Sequence, residues 1–330
     1  MTQADETEEE PQYDRRVTSP PANPPSPVPV WRSTLAPEVL TTFRTIEAIA
    51  ARGLPDTIRV PVQRAVAAIL GVAPSGDNGV APDERAAACV EFAEQFVVDV
   101  AGISDGQRQA MFAAMDADAF TFVQVLYVID VFTRTRIAID KLFSDPLVPV
   151  DLATGSETGE AADTDAAELW PTIEQFIQQV ALLSALDPLT TELVRLRGAR
   201  VHNCRLCQSR RSVKALDAAG SAAVFDDIAA DENPALTERD RVALALTDAL
   251  VTQPGSIDAA LVARVHEHFS IAEITEIVFD LTRNAANKIA VALGGDAPIV
   301  SDGIEFYDID AAGDVVADVD IDIVRGATAR

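Results

Sequence analysis

The sequence is poor in basic residues, cysteine and aromatic residues. Only 26 Lys and Arg oppose 52 Asp and Glu over 330 residues, and the formal net charge is −26. Because so acidic a surface repels phosphate backbones and anionic lipids, we expect no nucleic-acid or membrane partner. Aromatic residues make up 5% of the chain. The apolar residues are mainly Ala, Val, Leu and Ile in periodic segments, a pattern that favours helices.

Long apolar runs, targeting signals and nucleotide motifs are also missing. We find no apolar run of the about 18 residues that cross a bilayer. The first ten residues, MTQADETEEE, have neither the basic nor the apolar region of a signal peptide. A cytoplasmic protein is therefore expected. No GxGxxG follows a strand pattern, so no nucleotide or flavin cofactor is predicted.

Cysteine is too rare for a disulfide framework. The three cysteines are Cys89, Cys204 and Cys207, and a cytoplasmic location would keep them reduced. Cys89 lies in an Ala-rich amphipathic pattern and is interpreted as a buried structural thiol.

Composition divides the chain into five segments. Residues 1–30 are acidic and then rich in proline, with seven prolines, and are predicted to be a disordered tail. A low-complexity stretch, 149–166, is interpreted as a linker between two helical regions, 31–148 and 167–298. The acidic end, 299–330, forms the last segment.

The second helical region has the clearer periodicity. Capping residues and apolar stripes predict helices that we place at 167–186, 189–201, 204–219, from Thr237 through Leu250, 258–268 and 271–293. After them, residues 304–324 alternate apolar and acidic residues around a turn at Ala312-Gly313, which predicts a small β-hairpin. An unstructured acidic tail is the alternative. The predicted fold class is all-α with a possible C-terminal hairpin.

An internal repeat relates the two helical regions. A shift of 154 positions aligns about sixty residues without a gap and preserves the apolar pattern; Ile257, for example, falls on Ile103. This predicts a duplicated helical domain, although two Ala-rich amphipathic regions can also match by chance. At this offset Cys204 and Cys207 fall on Ala50 and Gly53. The first half would then be a degenerate, structural repeat without a cysteine pair.

The most informative stretch is ELVRLRGARVHNCRLCQSRR, residues 192–211. Two cysteines three positions apart, at a predicted helix start, lie close enough to form a disulfide. The first-turn N–H groups and the neighbouring Arg205, Arg210 and Arg211 would stabilise a thiolate. Such a thiolate can attack a peroxide or a disulfide, and its neighbour can resolve the product.

Two further residues are candidates for proton transfer. Glu192 lies on the preceding helix, and a hairpin of the two helices would let its carboxylate act as a base toward the pair. The alternative is an exposed charge on an amphipathic helix. His202, two positions before Cys204, is a candidate proton shuttle or a solvated residue at a helix junction.

These motifs resemble a known family. The run E-L-V-R-L-R-x-A-x-x-x-x-C-x-x-C, followed by L-T-E-R-D-R-V-A-L-A and H-F-S-x-x-E-I-x-E-I, looks like the carboxymuconolactone decarboxylase-like superfamily, and in particular its redox branch typified by alkyl hydroperoxidase D. The resemblance covers about residues 167–294, with a weaker echo in 31–143. It implies an all-helical bundle that builds homo-oligomers.

The resemblance also implies thiol peroxidase or disulfide oxidoreductase activity. By position, Cys207 would attack a small peroxide or disulfide, Cys204 would resolve the product, and Glu192 would join the proton relay. A dithiol such as a lipoyl protein would supply electrons. The chain departs from the pattern at Arg211, where the branch usually has a His, and at Arg205 and Leu206 between the cysteines. Arg cannot relay protons at neutral pH.

Other readings stay open. The cysteines could bind zinc with His266 and His268, or with His202, but one CxxC is half of a tetrahedral set. A non-catalytic or redox-sensing protein would retain the CxxC without turnover. A lactone decarboxylase is the remaining alternative, and the sequence carries no lactone-binding signature that would support it.

Overall fold

The fold was analysed in a computed structural model that describes residues 30–72, 82–145, 147, 166–226, 228, 233–301 and 303–317. The predicted tail up to residue 29, the predicted linker from 149 to 165 and residues 318–330 lie outside this part of the chain. Within the first half the helices are α1 Val30–Thr34, α2 Pro37–Ala50, α3 Asp56–Leu70, α4 Glu84–Asp99, α5 Asp105–Met115, α6 Ala119–Tyr127 and α7 Thr133–Phe143.

The second half is helical in the same way. Its helices are α8 Leu169–Ala181, α9 Pro188–Val201, α10 Arg205–Gln208, α11 Val213–Ala219, α12 Ala223–Asp226, α13 Glu238–Thr252, α14 Ala259–His268, α15 Ile271–Asn284 and α16 Asn287–Leu293. Three short strands are the only sheet in the described residues: β1 Arg210–Ser212, β2 Glu305–Ile309 and β3 Val315–Ala317. The predicted all-α fold with a small C-terminal hairpin is confirmed.

Side-chain caps define the helix starts that matter for the site. Asp187 accepts a hydrogen bond from the Thr190 backbone N–H at the start of α9. A capping box of Thr237 and Asp240 begins α13, and one of Ser270 and Glu273 begins α15. Each cap satisfies N–H groups that lack a partner within the helix, which stabilises the helix by about 1 kcal/mol.

Two predicted helices are interrupted. The segment 204–219 contains α10, then the strand β1, then α11, because β1 pairs with β2 from the far end of the chain. The segment 271–293 breaks at Ala285-Ala286, although Ala favours helices. The residues just past the break make tertiary contacts instead: Asn287 with His202, and Lys288 with Asp130.

The C-terminal hairpin forms as its alternation predicts. β2 and β3 are antiparallel, with Tyr307 opposite Ala317, and the turn contains Gly313 at φ 89°. The other edge of β2 pairs in parallel with β1, Arg211 opposite Phe306, a pairing that the sequence pattern did not predict. The hairpin is thereby attached to the residues that directly follow Cys207.

Several helices of the second half begin about 154 positions after a helix of the first half. α4 and α13 begin at Glu84 and Glu238, and α7 and α16 begin at Thr133 and Asn287, both 154 positions apart. α2 and α9, however, start and end 151 positions apart. The shift of 154 positions aligns Glu192 with Glu38, whereas this shorter spacing places Thr41 opposite Glu192.

One hydrophobic core contains side chains of both halves. Phe43 stacks on Phe132 with ring centroids 4.1 Å apart, and its ring also meets Phe176 of α8 at 6.1 Å and Phe279 of α15 at 5.8 Å. All four side chains are buried. Aromatic pairs contribute about 0.5–1.5 kcal/mol each beyond the burial of their area. The two halves therefore depend on each other for stability.

A buried charge cluster also joins the halves. Asp130, beside α7, forms ion pairs with Arg134 at 2.7 Å and with Lys288 of α16 at 2.5 Å. The Arg134 guanidinium also donates to the carbonyl oxygens of Val97 and Val251, two residues that the predicted repeat aligns. Burial alone would raise the pKa of Asp130, but the two cations lower it below its usual value.

One helical segment of the described chain, Asp105–Phe143, is long and apolar enough in composition to span a membrane. Half of its most apolar window is buried inside the protein, as in the core helix of a soluble protein. The segment also contains the ion pair of Asp130 and Arg134. This is weak evidence for a membrane span, and the cytoplasmic location remains a prediction.

Candidate active site

The two cysteines lie at the junction between α9 and α10. Asn203 adopts a left-handed conformation, φ 48°, that turns the chain after α9. Cys204 then caps α10, its sulfur accepting a hydrogen bond from the Cys207 backbone N–H at 3.3 Å. The two Sγ atoms are 2.6 Å apart, and both cysteines are free thiols. Cys204 is 1% exposed, whereas Cys207 is only partly buried.

The surroundings make the two thiols unequal. The Cys204 thiol donates a hydrogen bond that lowers the pKa of Cys207 to about 7, although burial opposes this effect. The charges of Arg195 and Arg210 and an N–H of Asn287 act in the same direction. The hydrogen bond to Cys207, together with burial, raises the pKa of Cys204. Cys207 is therefore the thiolate near neutral pH, and Cys204 stays protonated.

Glu192 lies on α9, and its carboxylate binds partners other than the two thiols. Its two carboxylate oxygens accept hydrogen bonds from Arg195 at 2.7 Å each, which is bidentate geometry. The Ser212 backbone N–H at 3.1 Å and the Tyr307 hydroxyl at 2.8 Å complete the site. Glu192 is 1% exposed, so the exposed-charge alternative is wrong. None of these four hydrogen bonds joins Glu192 to a cysteine; its partner Arg195 reaches the carbonyl oxygen of Cys207 instead.

Arg195 connects Glu192 to the cysteine helix. Its guanidinium donates to the carbonyl oxygen of Cys207 and to that of Arg210, each at 2.8 Å, and it lies 5.3 Å from the centre of the Tyr307 ring. Sequence reasoning missed Arg195. The available signal was an arginine three positions after the candidate glutamate, the spacing of a helical ion pair.

His202 reaches Cys207 through an intermediate residue. Its Nδ1 is 2.9 Å from Oδ1 of Asn287, and Nδ2 of Asn287 donates to the Cys207 sulfur at 3.6 Å. Burial, followed by the nearby Lys288 ammonium, lowers the pKa of His202 to about 3. His202 is therefore a buried, neutral imidazole, not a solvated one. No sequence signal singled out Asn287.

Proteins of similar sequence were found in bacteria. The Uncharacterized protein Rv2313c of Mycobacterium tuberculosis H37Rv is 40% identical over 243 residues, which are 71% of this chain and 82% of that protein. The Uncharacterized protein MT2376 of strain CDC 1551 matches to the same extent. This chain belongs to the Rv2313c family.

A more distant similarity covers a shorter stretch. The Uncharacterized protein YnjA of Escherichia coli K12 is 30% identical over 95 residues, 28% of this chain and 52% of that protein. No family model matches the sequence, and no solved structure matches it. The names of these relatives state no activity, and the chemistry of the Rv2313c family follows here from the geometry of the site.

The arginines around the cysteines are largely neutralised in this member of the Rv2313c family. Arg205 pairs with Asp296 at 2.6 Å, and Arg210 pairs with Glu305 of β2. Arg211, at the position of the expected His, donates to the carbonyl oxygens of Gln208 and Arg210 at 2.7 and 2.8 Å. Of the three arginines that the sequence indicated as a source of positive charge, Arg205 and Arg210 are therefore paired with carboxylates.

The zinc alternative finds no support at the site. His266 lies against Phe143, and its Nε2 is 2.8 Å from the Leu142 carbonyl oxygen, far along the chain from the CxxC. Among the described residues, no three His, Cys, Asp or Glu side chains are grouped to hold a metal ion. Cys89 is fully buried in α4, and burial raises the pKa of its thiol to about 11.

Proposed function

We propose that this chain is a thiol-dependent peroxidase or disulfide oxidoreductase of the carboxymuconolactone decarboxylase-like superfamily, in the alkyl hydroperoxidase D-like branch. The observation that carries the proposal is the unequal cysteine pair. Two free thiols lie 2.6 Å apart, and the partly exposed Cys207 has the lowered pKa. An acidic, accessible thiol beside a buried, protonated one is the arrangement that a resolving pair requires.

The proposed reaction uses both thiols in order. The Cys207 thiolate attacks the distal oxygen of a hydroperoxide, an S–O bond forms, the O–O bond breaks, and the alkoxide leaves and takes up a proton. Cys204 then loses its proton and attacks the sulfenic sulfur. The S–S bond forms and hydroxide leaves as water. A dithiol, such as a reduced lipoyl protein, reduces this disulfide and is itself oxidised to a disulfide.

Glu192 has a supporting role in this proposal. Both oxygens of Glu192 are bound by Arg195, Ser212 and Tyr307. Glu192 thereby holds the Arg195 guanidinium within hydrogen-bond distance of the Cys207 carbonyl oxygen. The positive charge of Arg195 then favours the Cys207 thiolate. A cytoplasmic location and a homo-oligomeric assembly remain part of the proposal.

The test is a reaction of the reduced full chain with one equivalent of hydrogen peroxide, followed by thiol counting and location of the products by mass spectrometry. We expect a Cys204–Cys207 disulfide that a dithiol reverses. The initial rate should rise with pH through a midpoint of about 7, since the thiolate is the nucleophile. Cys207→Ser should abolish turnover, whereas Cys89→Ala should retain it. Unreacted thiols in the wild-type protein would end the proposal.

A redox-sensing role is the second candidate. A cleft of about 200 Å³ beside the site is lined by His202, Lys288 and Arg134, but by neither cysteine. A sensor needs only slow oxidation and no rapid reduction, and a cysteine pair that does not line this cleft suits that role. Repeated turnover with hydrogen peroxide and dihydrolipoamide supports the enzyme, and a single oxidation that resists dihydrolipoamide supports the sensor.

A further inference from the structure

Two side chains form a hydrogen bond with the Cys207 sulfur in the part of the chain that the structure describes: that of Cys204 and that of Asn287. Asn287 lies at the start of α16, 80 positions from Cys207 in the sequence. Its Nδ2 is 3.6 Å from the sulfur, within hydrogen-bond distance for a sulfur acceptor. An amide N–H stabilises a thiolate more than a thiol, because hydrogen bonding to the charged form favours that form.

The orientation of this amide decides its effect. An asparagine side chain has a donating nitrogen and an accepting oxygen, and a rotation by half a turn would direct the oxygen at the thiolate and repel it. Here Oδ1 of Asn287 faces Nδ1 of His202 at 2.9 Å. If Nδ1 carries the imidazole proton, His202 donates to Oδ1 and the amide is locked with its nitrogen toward the sulfur.

The contact with Asn287 requires that tautomer, because an amide oxygen only accepts a hydrogen bond and Nδ1 must then donate it. Its ring is 7% exposed and lines the cleft together with Lys288, Arg134 and Asp99. Lys288 and Arg134 share the carboxylate of Asp130, and both positive charges act on the His202 ring. A second proton on the ring is disfavoured by burial and by these cations. The ring is thus a neutral, fixed hydrogen-bond donor and does not exchange protons at physiological pH.

We propose that Asn287 is a catalytic residue that holds the Cys207 sulfur through its amide N–H, and that His202 is a positioning residue that fixes the amide in the donating orientation. The proposal rests on the proposed use of Cys207 as the attacking thiolate. It replaces a proton-shuttle role for His202 by an orienting one. The chain His202–Asn287–Cys207 would supply, from α16, a thiolate-stabilising contact at a site where the resembling family has a histidine and this chain has Arg211.

The experiment measures the alkylation rate of Cys207 against pH in the reduced full chain, with the modified peptide identified by mass spectrometry. Asn287→Ala should move the midpoint upward by about one pH unit, which leaves about fivefold less thiolate at pH 7. Asn287→Asp, which has the same shape, should move it upward at least as far, because a carboxylate would face the thiolate. Asn284→Ala, three residues earlier in the chain, is the matched control and should leave the midpoint unchanged.

His202 is tested by the same measurement. His202→Leu removes the donor to Oδ1 and should raise the midpoint, whereas His202→Gln, which can donate to Oδ1, should restore most of the wild-type value. A midpoint in Asn287→Asp equal to that of the wild type would overturn the role of Asn287. Equal midpoints in His202→Leu and the wild type would overturn the role of His202. A wild-type midpoint near the ordinary cysteine value of about 8.5 would instead overturn the proposed function itself.

Discussion

At the scale of single residues, Glu192 was predicted to be a base, but the structure places it in a buried ion pair with Arg195. The sequence made Glu192 a candidate base because of its distance from the cysteines. In the structure its oxygens are saturated by three partners, one of them the hydroxyl of Tyr307, whose pKa is raised by burial. A carboxylate in that position is a fixed negative charge that balances Arg195. Because Glu192 pairs with Arg195, we infer that its role is to position the Arg195 guanidinium.

Replacing Glu192 should therefore destabilise the protein. Glu192→Gln leaves the buried Arg195 guanidinium without its counter-charge, and breaking a buried pair costs about 3–5 kcal/mol. We expect a fall of about 3 kcal/mol in the free energy of unfolding, measured by urea denaturation. Glu174→Gln, at an exposed position of α8, should change it by less than about 0.5 kcal/mol. A variant of wild-type stability that loses peroxide turnover would show instead that Glu192 is a base.

At the scale of secondary-structure elements, the C-terminal hairpin is the part that completes the site. β2 carries Tyr307 to Glu192 and Glu305 to Arg210. The hairpin itself was predictable from alternation and a Gly turn. β1 was not, because three residues, Arg210–Ser212, carry no periodic signal and adopt a strand only when β2 is beside them.

Two glycines in this region test the contact of the hairpin with α8. Gly303 and Gly313 both have positive φ, 86° and 89°, but a Cβ at Gly303 meets open space, whereas one at Gly313 would lie 2.4 Å from the Gln178 carbonyl oxygen. Gly303→Ala should cost about 1 kcal/mol of backbone strain. Gly313→Ala should cost about 1–3 kcal/mol more, because the hairpin must move away from α8.

The readouts are urea unfolding and the pH midpoint of Cys207 alkylation. Only Gly313→Ala should raise the midpoint, since movement of the hairpin withdraws Tyr307 from Glu192 and loosens Arg195. If both variants lose the same stability and keep the same midpoint, the hairpin does not rest on α8 in solution.

At the scale of the whole molecule, the two halves share a core and a buried charge cluster. α4 and α13, like α7 and α16, begin 154 positions apart, whereas α2 and α9 begin 151 positions apart, and the duplicated domain stays a prediction. The sharing of Phe43, Phe132, Phe176 and Phe279 in one core was not predictable, because helical periodicity shows which face of a helix is buried but not which helix covers it.

Asp130 should contribute strongly to the free energy of unfolding, because it pairs with cations of both halves. Asp130→Asn removes the negative charge between Arg134 and Lys288. Burial lowers the pKa of Lys288 to about 8 and Asp130 opposes that shift, so both buried cations lose the charge that stabilises their protonated forms. We expect a loss of about 3–5 kcal/mol in the free energy of unfolding at pH 7. Glu238→Gln, which breaks the exposed pair with Arg264, should cost less than about 1 kcal/mol.

The effect of Asp130→Asn should also depend on pH. Because the pKa of Asp130 is lowered in the folded protein, its stabilising contribution is present above the ordinary Asp value of about 3.9 and is lost as the pH falls below it. The stability difference between wild type and variant should therefore shrink on acidification. A difference that stays constant from pH 7 to pH 3 would show that Asp130 does not carry the charge in this cluster.

The sequence by itself determined the helical fold class, the hairpin and the proximity of Cys204 and Cys207, because these follow from local periodicity, turn residues and a spacing of three. Tertiary structure decided which groups act on the Cys207 thiol besides its hydrogen bond with Cys204. These groups come from three separate elements, with Arg195 on α9, Arg210 on β1 and Asn287 on α16. A contact between residues 80 positions apart, as between Asn287 and Cys207, leaves no periodic trace in a single sequence, since it depends on how the helices pack.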